Sequence, residues 1–98
     1  MQIKSLVLSI FVATASAGYV QICGSGSGGT CTDTGSANKN SCIGPVNGNG
    51  FTFKAYDTKP NSMSIFADEG CWNYNVATCD DCTSVTYNGK GPVWAIFH

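Results

Sequence analysis

Six cysteines in a chain of 98 residues limit what this protein can fold into more than any other feature. An even number of cysteines in a small exported chain is typical of a disulfide framework. Each disulfide adds about 2–4 kcal/mol to a free energy of unfolding that is about 5–15 kcal/mol in typical proteins. We therefore predict that three disulfides, more than a large apolar core, stabilise the fold, and that they use Cys23, Cys31, Cys42, Cys71, Cys79 and Cys82.

The first seventeen residues, MQIKSLVLSIFVATASA, indicate that the chain is exported. A single basic residue, Lys4, precedes an apolar run over residues 6–12, and the segment ends in the small residues Ala15-Ser16-Ala17. This order is typical of a secretory signal peptide, and the apolar run is far shorter than the ~20 residues that span a bilayer. We expect cleavage after Ala17, and a secreted, extracellular, monomeric protein without a membrane span whose one disulfide-rich β domain covers residues 18–98.

The charge of the exported part argues against two classes of partner. Residues 18–98 contain four lysines, six acidic residues and no arginine, which gives a net charge of −2. Nucleic-acid backbones and anionic lipid surfaces both require clustered positive charge. We therefore expect neither nucleic-acid binding nor cationic lysis of membranes.

The segment Cys79-Asp80-Asp81-Cys82 has the spacing of a redox or metal motif. A redox thiol needs a lowered pKa, and the two aspartates between these cysteines act in the opposite direction. A zinc site needs four ligands, usually cysteine and histidine, and the only histidine is the terminal His98. We therefore assign this segment to the disulfides, and expect no metal and no cofactor.

Alternating apolar residues predict short strands and no helix. Residues 24–42 are rich in glycine, serine, threonine and asparagine and predict a loop. Their match to G-x-G-x-x-G lacks the helix that a nucleotide-binding motif requires. Residues 83–87 and 93–97 flank the turn sequence NGKGP and predict a hairpin; the last of these strands is apolar on both faces, which favours a central position. The fold class is all-β, a small disulfide-stapled sandwich or two Greek keys, with strands at 18–23, 51–57, 63–67, 72–76, 83–87 and 93–97.

The sequence SMSIFADEGCWNY, residues 62–74, resembles the first hairpin of a βγ-crystallin-type Greek-key motif. Phe66 stands at the first aromatic position, Cys71 at the second, and Asn73 replaces a glycine of positive φ. The small disulfide-stapled proteins of this kind include plant antimicrobial proteins and yeast killer toxins. The resemblance covers about residues 62–97, and the glycine-rich loop has no counterpart in it.

This resemblance has two implications for the cysteines and acids. It implies two halves packed against each other, with Cys71, Cys79 and Cys82 mostly paired to Cys23, Cys31 and Cys42. It also places a crystallin-type calcium site at DDCTSV, from Asp80 to Val85. Calcium prefers oxygen ligands, and Val85 stands where the motif has its last serine, so we expect an exposed acidic turn there.

No residue pattern indicates catalysis. Adjacent acids such as Asp68-Glu69 point to opposite faces of a strand and do not form an acid–base pair, and His98 lies at the chain end. We therefore expect a non-enzymatic interaction protein of the kind that fungi export, an effector or an antimicrobial, killer-toxin-like protein acting on a host or competitor.

The alternatives are a carbohydrate-binding module and an inhibitor of a secreted enzyme, so the partner is an extracellular protein or a cell-wall glycan. The candidate contact residues are Trp72, Tyr74 and Tyr56, because aromatic side chains dominate binding hot spots. The competing interpretation is that Trp72 and Tyr74 fill the core beside Cys71.

Overall fold

The computed structural model describes residues 18–98, and the predicted signal peptide lies outside this range. The described part consists of strands, loops and one short 3₁₀ helix at Ser36–Asn38, and none of its helices is long and apolar enough to cross a membrane. The eight strands are β1 (Tyr19–Gly24), β2 (Cys31–Gly35), β3 (Ile43–Val46), β4 (Asn49–Tyr56), β5 (Ser62–Phe66), β6 (Asn75–Asp80), β7 (Ser84–Lys90) and β8 (Val93–Phe97).

The strands form two antiparallel four-stranded sheets. Sheet A has the order β2-β1-β4-β7 and sheet B has the order β3-β8-β5-β6. In each half of the chain the fourth strand returns to lie beside the first, which is the Greek-key connection, while the third strand joins the sheet of the other half. The predicted all-β, disulfide-stapled Greek-key sandwich is confirmed.

The core lies between the two sheets and is built from alternate residues of the strands. On β4, Phe51, Phe53 and Ala55 are buried and the residues between them are exposed, as the alternation predicts. The same period buries two side chains of β1 and three of β8. The other buried apolar residues of this cluster are Val20, Ile22, Val46, Met63, Ile65, Val93, Ala95 and Phe97.

The last strand occupies the central position that its apolar sequence predicts, but the hairpin prediction is wrong. β8 lies between β3 and β5 in sheet B, whereas β7 is the edge strand of sheet A. Val85 and Tyr87 of β7 pack on the core from one side, and Val93 and Ala95 of β8 line it from the other. A hairpin would put both strands in one sheet and leave the opposite side of the core uncovered.

The prediction of a loop over residues 24–42 is also wrong in part, because this segment contains β2. The strand pairs with β1 from Cys23↔Cys31 to Tyr19↔Gly35. None of its side chains is buried, so it carries no apolar alternation. Backbone hydrogen bonds and the neighbouring strand hold it in the sheet.

The disulfides are Cys23–Cys31, Cys42–Cys71 and Cys79–Cys82. All six cysteines are bridged, as predicted, and the Cys79-Asp80-Asp81-Cys82 segment belongs to the framework. The pairing implied by the crystallin resemblance is wrong for two of the three bonds, since only the second joins the two halves. Cys23 and Cys31 are direct neighbours across the β1–β2 pair, with Cα atoms 4.1 Å apart.

Candidate functional site: an aromatic loop between β5 and β6

The most exposed large side chains lie in the connection between β5 and β6, residues 67–74, which we call the aromatic loop. Trp72 is 80% exposed and Tyr74 is 67% exposed. Neither contributes to the core, so the interpretation that they fill it beside Cys71 is wrong. The predicted strand over residues 72–76 is also wrong, because β6 begins only at Asn75.

The side chain of Asp68 explains why these residues do not form a strand. Its carboxylate accepts hydrogen bonds from the backbone N–H groups of Trp72 at 3.1 Å, Asn73 at 3.1 Å and Tyr74 at 2.7 Å. Three consecutive donors are therefore bound to one side chain. An aspartate that binds nearby backbone groups in this way competes with strand pairing.

The pKa of Asp68 is lowered from its ordinary value by this arrangement. Desolvation acts to raise the pKa, and the hydrogen bonds from Tyr74, Asn73 and Trp72 together outweigh it. Hydrogen bonds that favour the ionised form lower a carboxyl pKa. The carboxylate is therefore charged while it holds the loop.

Two further contacts fix the ends and the middle of the aromatic loop. At its base the Ala67 N–H donates to the Tyr74 carbonyl at 2.8 Å. In its middle, Cys71 is buried and bonded to Cys42, which directly precedes β3. The residues of positive φ in this loop are Gly70, at 96°, and Cys71, at 54°, and not Asn73 as the resemblance implies.

The loop is therefore held in one backbone conformation while its aromatic side chains stay exposed. A segment that is already ordered loses less entropy on binding than a flexible one. Tryptophan and tyrosine are also the residues most enriched among binding hot spots. Chemically, the aromatic loop provides a preformed apolar surface with tyrosine hydroxyl and indole N–H groups as polar handles.

Tyr56, the third predicted contact residue, lies elsewhere. It is half-buried on β4 in sheet A, and its ring stacks on Tyr19 with centroids 4.7 Å apart. The Lys54 ammonium lies 5.1 Å from the centre of the Tyr56 ring. The structure thus brings Trp72 and Tyr74 together on one loop and leaves Tyr56 on the opposite sheet; whether Tyr56 contacts a partner stays a prediction.

Sequence reasoning missed two parts of this picture. Tyr19, which is 41% exposed, pairs with Tyr56 across β1 and β4, and its position at the start of the first strand was the only available signal. The role of Asp68 was also missed. An aspartate just ahead of a glycine-containing turn is a known signal for side-chain to backbone hydrogen bonds.

The acidic turn between β6 and β7 contains the residues of the crystallin-type calcium motif, Asp80 to Val85. Asp80 and Asp81 are exposed, and Asp81 pairs with the Lys59 ammonium at 2.9 Å. Within residues 18–98, no group of three or more histidine, cysteine or acidic side chains is arranged to hold a metal ion. Both cysteine sulfurs of the turn are consumed by their disulfide.

Comparison with known proteins gives no match to a family model, a curated protein or a solved structure. A function for this chain therefore has to be inferred from its own geometry.

Proposed function

We propose that this is a secreted, non-enzymatic interaction protein that binds an extracellular target protein through the aromatic loop. The observation that carries the proposal is the exposure of Trp72, at 80%, on a backbone held by Asp68 and the Cys42–Cys71 bond. An exposed aromatic side chain of this size contributes binding free energy when a partner buries it. A hot-spot residue of this type contributes about 2 kcal/mol or more to binding.

Export is supported by the signal-peptide pattern and by the disulfides. Three disulfides in a domain of this size are consistent with an extracellular protein. A fold stabilised by disulfides also keeps its shape on dilution away from the cell that secretes it. These features fit an effector that acts on a host or a toxin-like protein that acts on a competitor.

The packing of two Greek-key halves against each other, which the βγ-crystallin-type resemblance implies, supports a killer-toxin-like role. In sheet A the strands β1, β2 and β4 accept β7, and in sheet B the strands β5, β6 and β8 accept β3. The conformation of Asn73 and the disulfide pairing depart from that pattern. An antimicrobial role acting by cationic lysis is disfavoured by the net charge of −2 over residues 18–98.

An inhibitor of a secreted enzyme is the second candidate. The aromatic loop is tethered through Cys71 and exposes Trp72 beyond that tether, which suits insertion into the concave site of an enzyme. Pre-organised loops bind such sites with little change of backbone shape. A panel of secreted proteases and glycosidases assayed with and without the protein tests this candidate.

The main experiment uses a photo-crosslinking amino acid at position 73 of the oxidised, purified protein, an exposed position that leaves Trp72 and Tyr74 in place. The labelled protein is incubated with extracellular fluid or surface proteins of candidate hosts or competitors, and the mixture is then irradiated. We expect a discrete crosslinked protein that unlabelled wild type competes away. Unlabelled Trp72→Ala and Tyr74→Ala should compete at least ~10-fold less well, which corresponds to ~1.4 kcal/mol. Tyr19→Ala is the matched control, because Tyr19 is an exposed aromatic residue on the other sheet.

Incubation with insoluble chitin, cellulose and glucan separates a protein target from a glycan target. Depletion of the protein from solution by one of these polymers, lost in Trp72→Ala, would replace the proposal with carbohydrate binding by the aromatic loop. Equal competition by wild type and Trp72→Ala would remove the loop from the binding surface.

A further inference from the structure

The outer face of sheet A contains a cavity that is separate from the aromatic loop. Its volume is about 230 Å³, and its walls come from the ends of β1, β4 and β7. Thr52 lies directly opposite Thr86 on one side and Cys23 on the other. Residues directly opposite in antiparallel strands share a face, so these three side chains lie in one row across the sheet.

A bulge in β7, opposite Gly50 of β4, forms the depression beside this row. The pairing of β4 with β7 shifts between Asn49 and Phe51, and Gly50, which lies between them, has φ of 90°. Asn88 and Gly89 of β7 therefore both stand opposite Gly50, which is the two-against-one pairing of a β-bulge. A β-carbon at position 50 would lie 3.3 Å from the Ser25 hydroxyl, so glycine also keeps this wall of the cavity open.

The polar groups that line the cavity are neutral, and several lack a partner in the protein. The side chains of Thr52, Thr86 and Asn88 make no hydrogen bond to any described residue, whereas the Ser25 hydroxyl donates to the Asn49 carbonyl at 2.8 Å. Hydroxyl and amide groups both donate and accept hydrogen bonds. No charged residue lines the cavity, so a charged ligand would lose hydration without gaining an ion pair.

We propose that this cavity binds a single neutral sugar ring. A pyranose presents hydroxyl groups that match Thr52, Thr86 and Asn88, and C–H surfaces that match the half-buried Cys23. Pockets for drug-sized ligands measure about 300–1,000 Å³, so a cavity of about 230 Å³ admits one ring and not an oligosaccharide. The ring is either a free monosaccharide or the terminal residue of a glycan.

The test is a titration of the ¹⁵N-labelled, oxidised protein followed by NMR. The probes are glucose, mannose, galactose and N-acetylglucosamine, each as the free sugar and as the methyl glycoside, with glucuronic acid as a charged probe. We expect saturable shifts, with a Kd on the order of millimolar for one small ring, at the backbone amides of residues 50–52 and 86–88 and at the Asn88 side-chain amide. Glucuronic acid should bind more weakly than glucose. Preference for the methyl glycoside would identify a glycan terminus, and preference for the free sugar a monosaccharide.

The variants Thr52→Val and Thr86→Val remove one hydroxyl each and preserve side-chain shape and β propensity. Each should weaken binding by about two- to tenfold, the range expected for one hydrogen bond. Thr83→Val is the matched control, because Thr83 is an exposed threonine outside the cavity without a side-chain hydrogen bond in the described residues.

Three results would overturn the proposal: no shift at the cavity with any neutral sugar, unchanged affinity in the Thr52→Val/Thr86→Val double variant, or shifts at residues 67–74 in place of the cavity. Because the aromatic loop belongs to the other sheet, crosslinking at position 73 can fail or succeed independently of this titration.

Discussion

The carboxylate of Asp68 accepts a hydrogen bond of 2.7 Å from the backbone N–H of Tyr74, six positions further along the chain. Together with the bonds to Trp72 and Asn73, this contact makes one acidic side chain the organiser of the whole aromatic loop. Shape and exposure at the candidate binding surface therefore depend on a residue that need not touch the partner itself.

Replacing Asp68 with asparagine should loosen the aromatic loop. Asparagine keeps the size of the side chain but has one acceptor oxygen and no charge, and charge-assisted hydrogen bonds are roughly twice as strong as neutral ones. We expect faster amide hydrogen exchange at residues 72–74 and weaker competition in the crosslinking assay. Glu69→Gln, which neutralises the neighbouring exposed acid, is the control, and equal exchange in both variants would contradict this role for Asp68.

The lowered pKa of Asp68 predicts a pH dependence of stability. A carboxyl whose pKa is lower in the folded than in the unfolded state contributes stability above the unfolded value, ordinarily 3.8. This contribution is lost as the pH falls through the lower folded value. Thermal melts between pH 7 and pH 2 should therefore show the wild type losing more stability below about pH 4 than Asp68→Asn does. Parallel curves for the two proteins would argue against the hydrogen-bonded carboxylate.

The three disulfides should differ in what they contribute to stability. Their cysteines are 29, 8 and 3 positions apart. The chain-entropy relation then gives about 3.6 kcal/mol for Cys42–Cys71, about 2.5 for Cys23–Cys31 and about 1.6 for Cys79–Cys82. Paired cysteine-to-serine variants compared by denaturant unfolding should follow this order. Peptide mapping under non-reducing conditions checks the pairing itself, and a bond from Cys79 or Cys82 to the first half would refute it.

Phe53 should be among the least replaceable residues of the core. It is fully buried on the inner face of β4, and truncation of a buried phenylalanine to alanine costs about 3–5 kcal/mol. That is a large share of the stability of a small domain, so Phe53→Ala should shift the denaturation midpoint strongly or prevent folding. Thr52→Ala, one position away on the outer face, should change stability by less than about 1 kcal/mol.

Trp72→Ala should separate binding from folding. Because 80% of the side chain is exposed, its removal should change the free energy of unfolding by no more than about 0.5 kcal/mol. Binding of the target should fall at the same time, as the crosslinking competition measures. A large loss of stability in this variant would show that Trp72 has a structural role.

The strands that the sequence predicts well are those in which apolar and polar residues alternate clearly along the chain. Phe51, Phe53 and Ala55 mark β4 because burial on one face leaves a local period of two. β2 leaves no such mark, since it joins the sheet at the edge with only partly buried side chains. The crossing from β7 to β8 depends on which sheet needs each strand to cover the core, and a turn sequence such as NGKGP carries no information about that.

The candidate site also has one part that the sequence predicts and one part that it does not. Trp72 and Tyr74 are recognisable as aromatic residues in a cysteine-rich segment, but their period of two indicated a strand. Only the hydrogen bonds to Asp68 decide against that, and they depend on how the chain bends at Cys71. The sheet A cavity depends on the β7 bulge opposite Gly50 and on the register of three strands, and no local sequence pattern specifies either.

The exchange of β3 and β7 between the two sheets has a consequence for how this protein comes apart. A polypeptide cut near Pro60 would leave two fragments joined covalently through Cys42–Cys71, each missing one strand of its own sheet and holding one that belongs to the other. Neither fragment has a complete interior by itself. The molecule is therefore expected to gain or lose its native state as one cooperative unit, and the two fragments of a nicked form should separate only after Cys42–Cys71 is reduced.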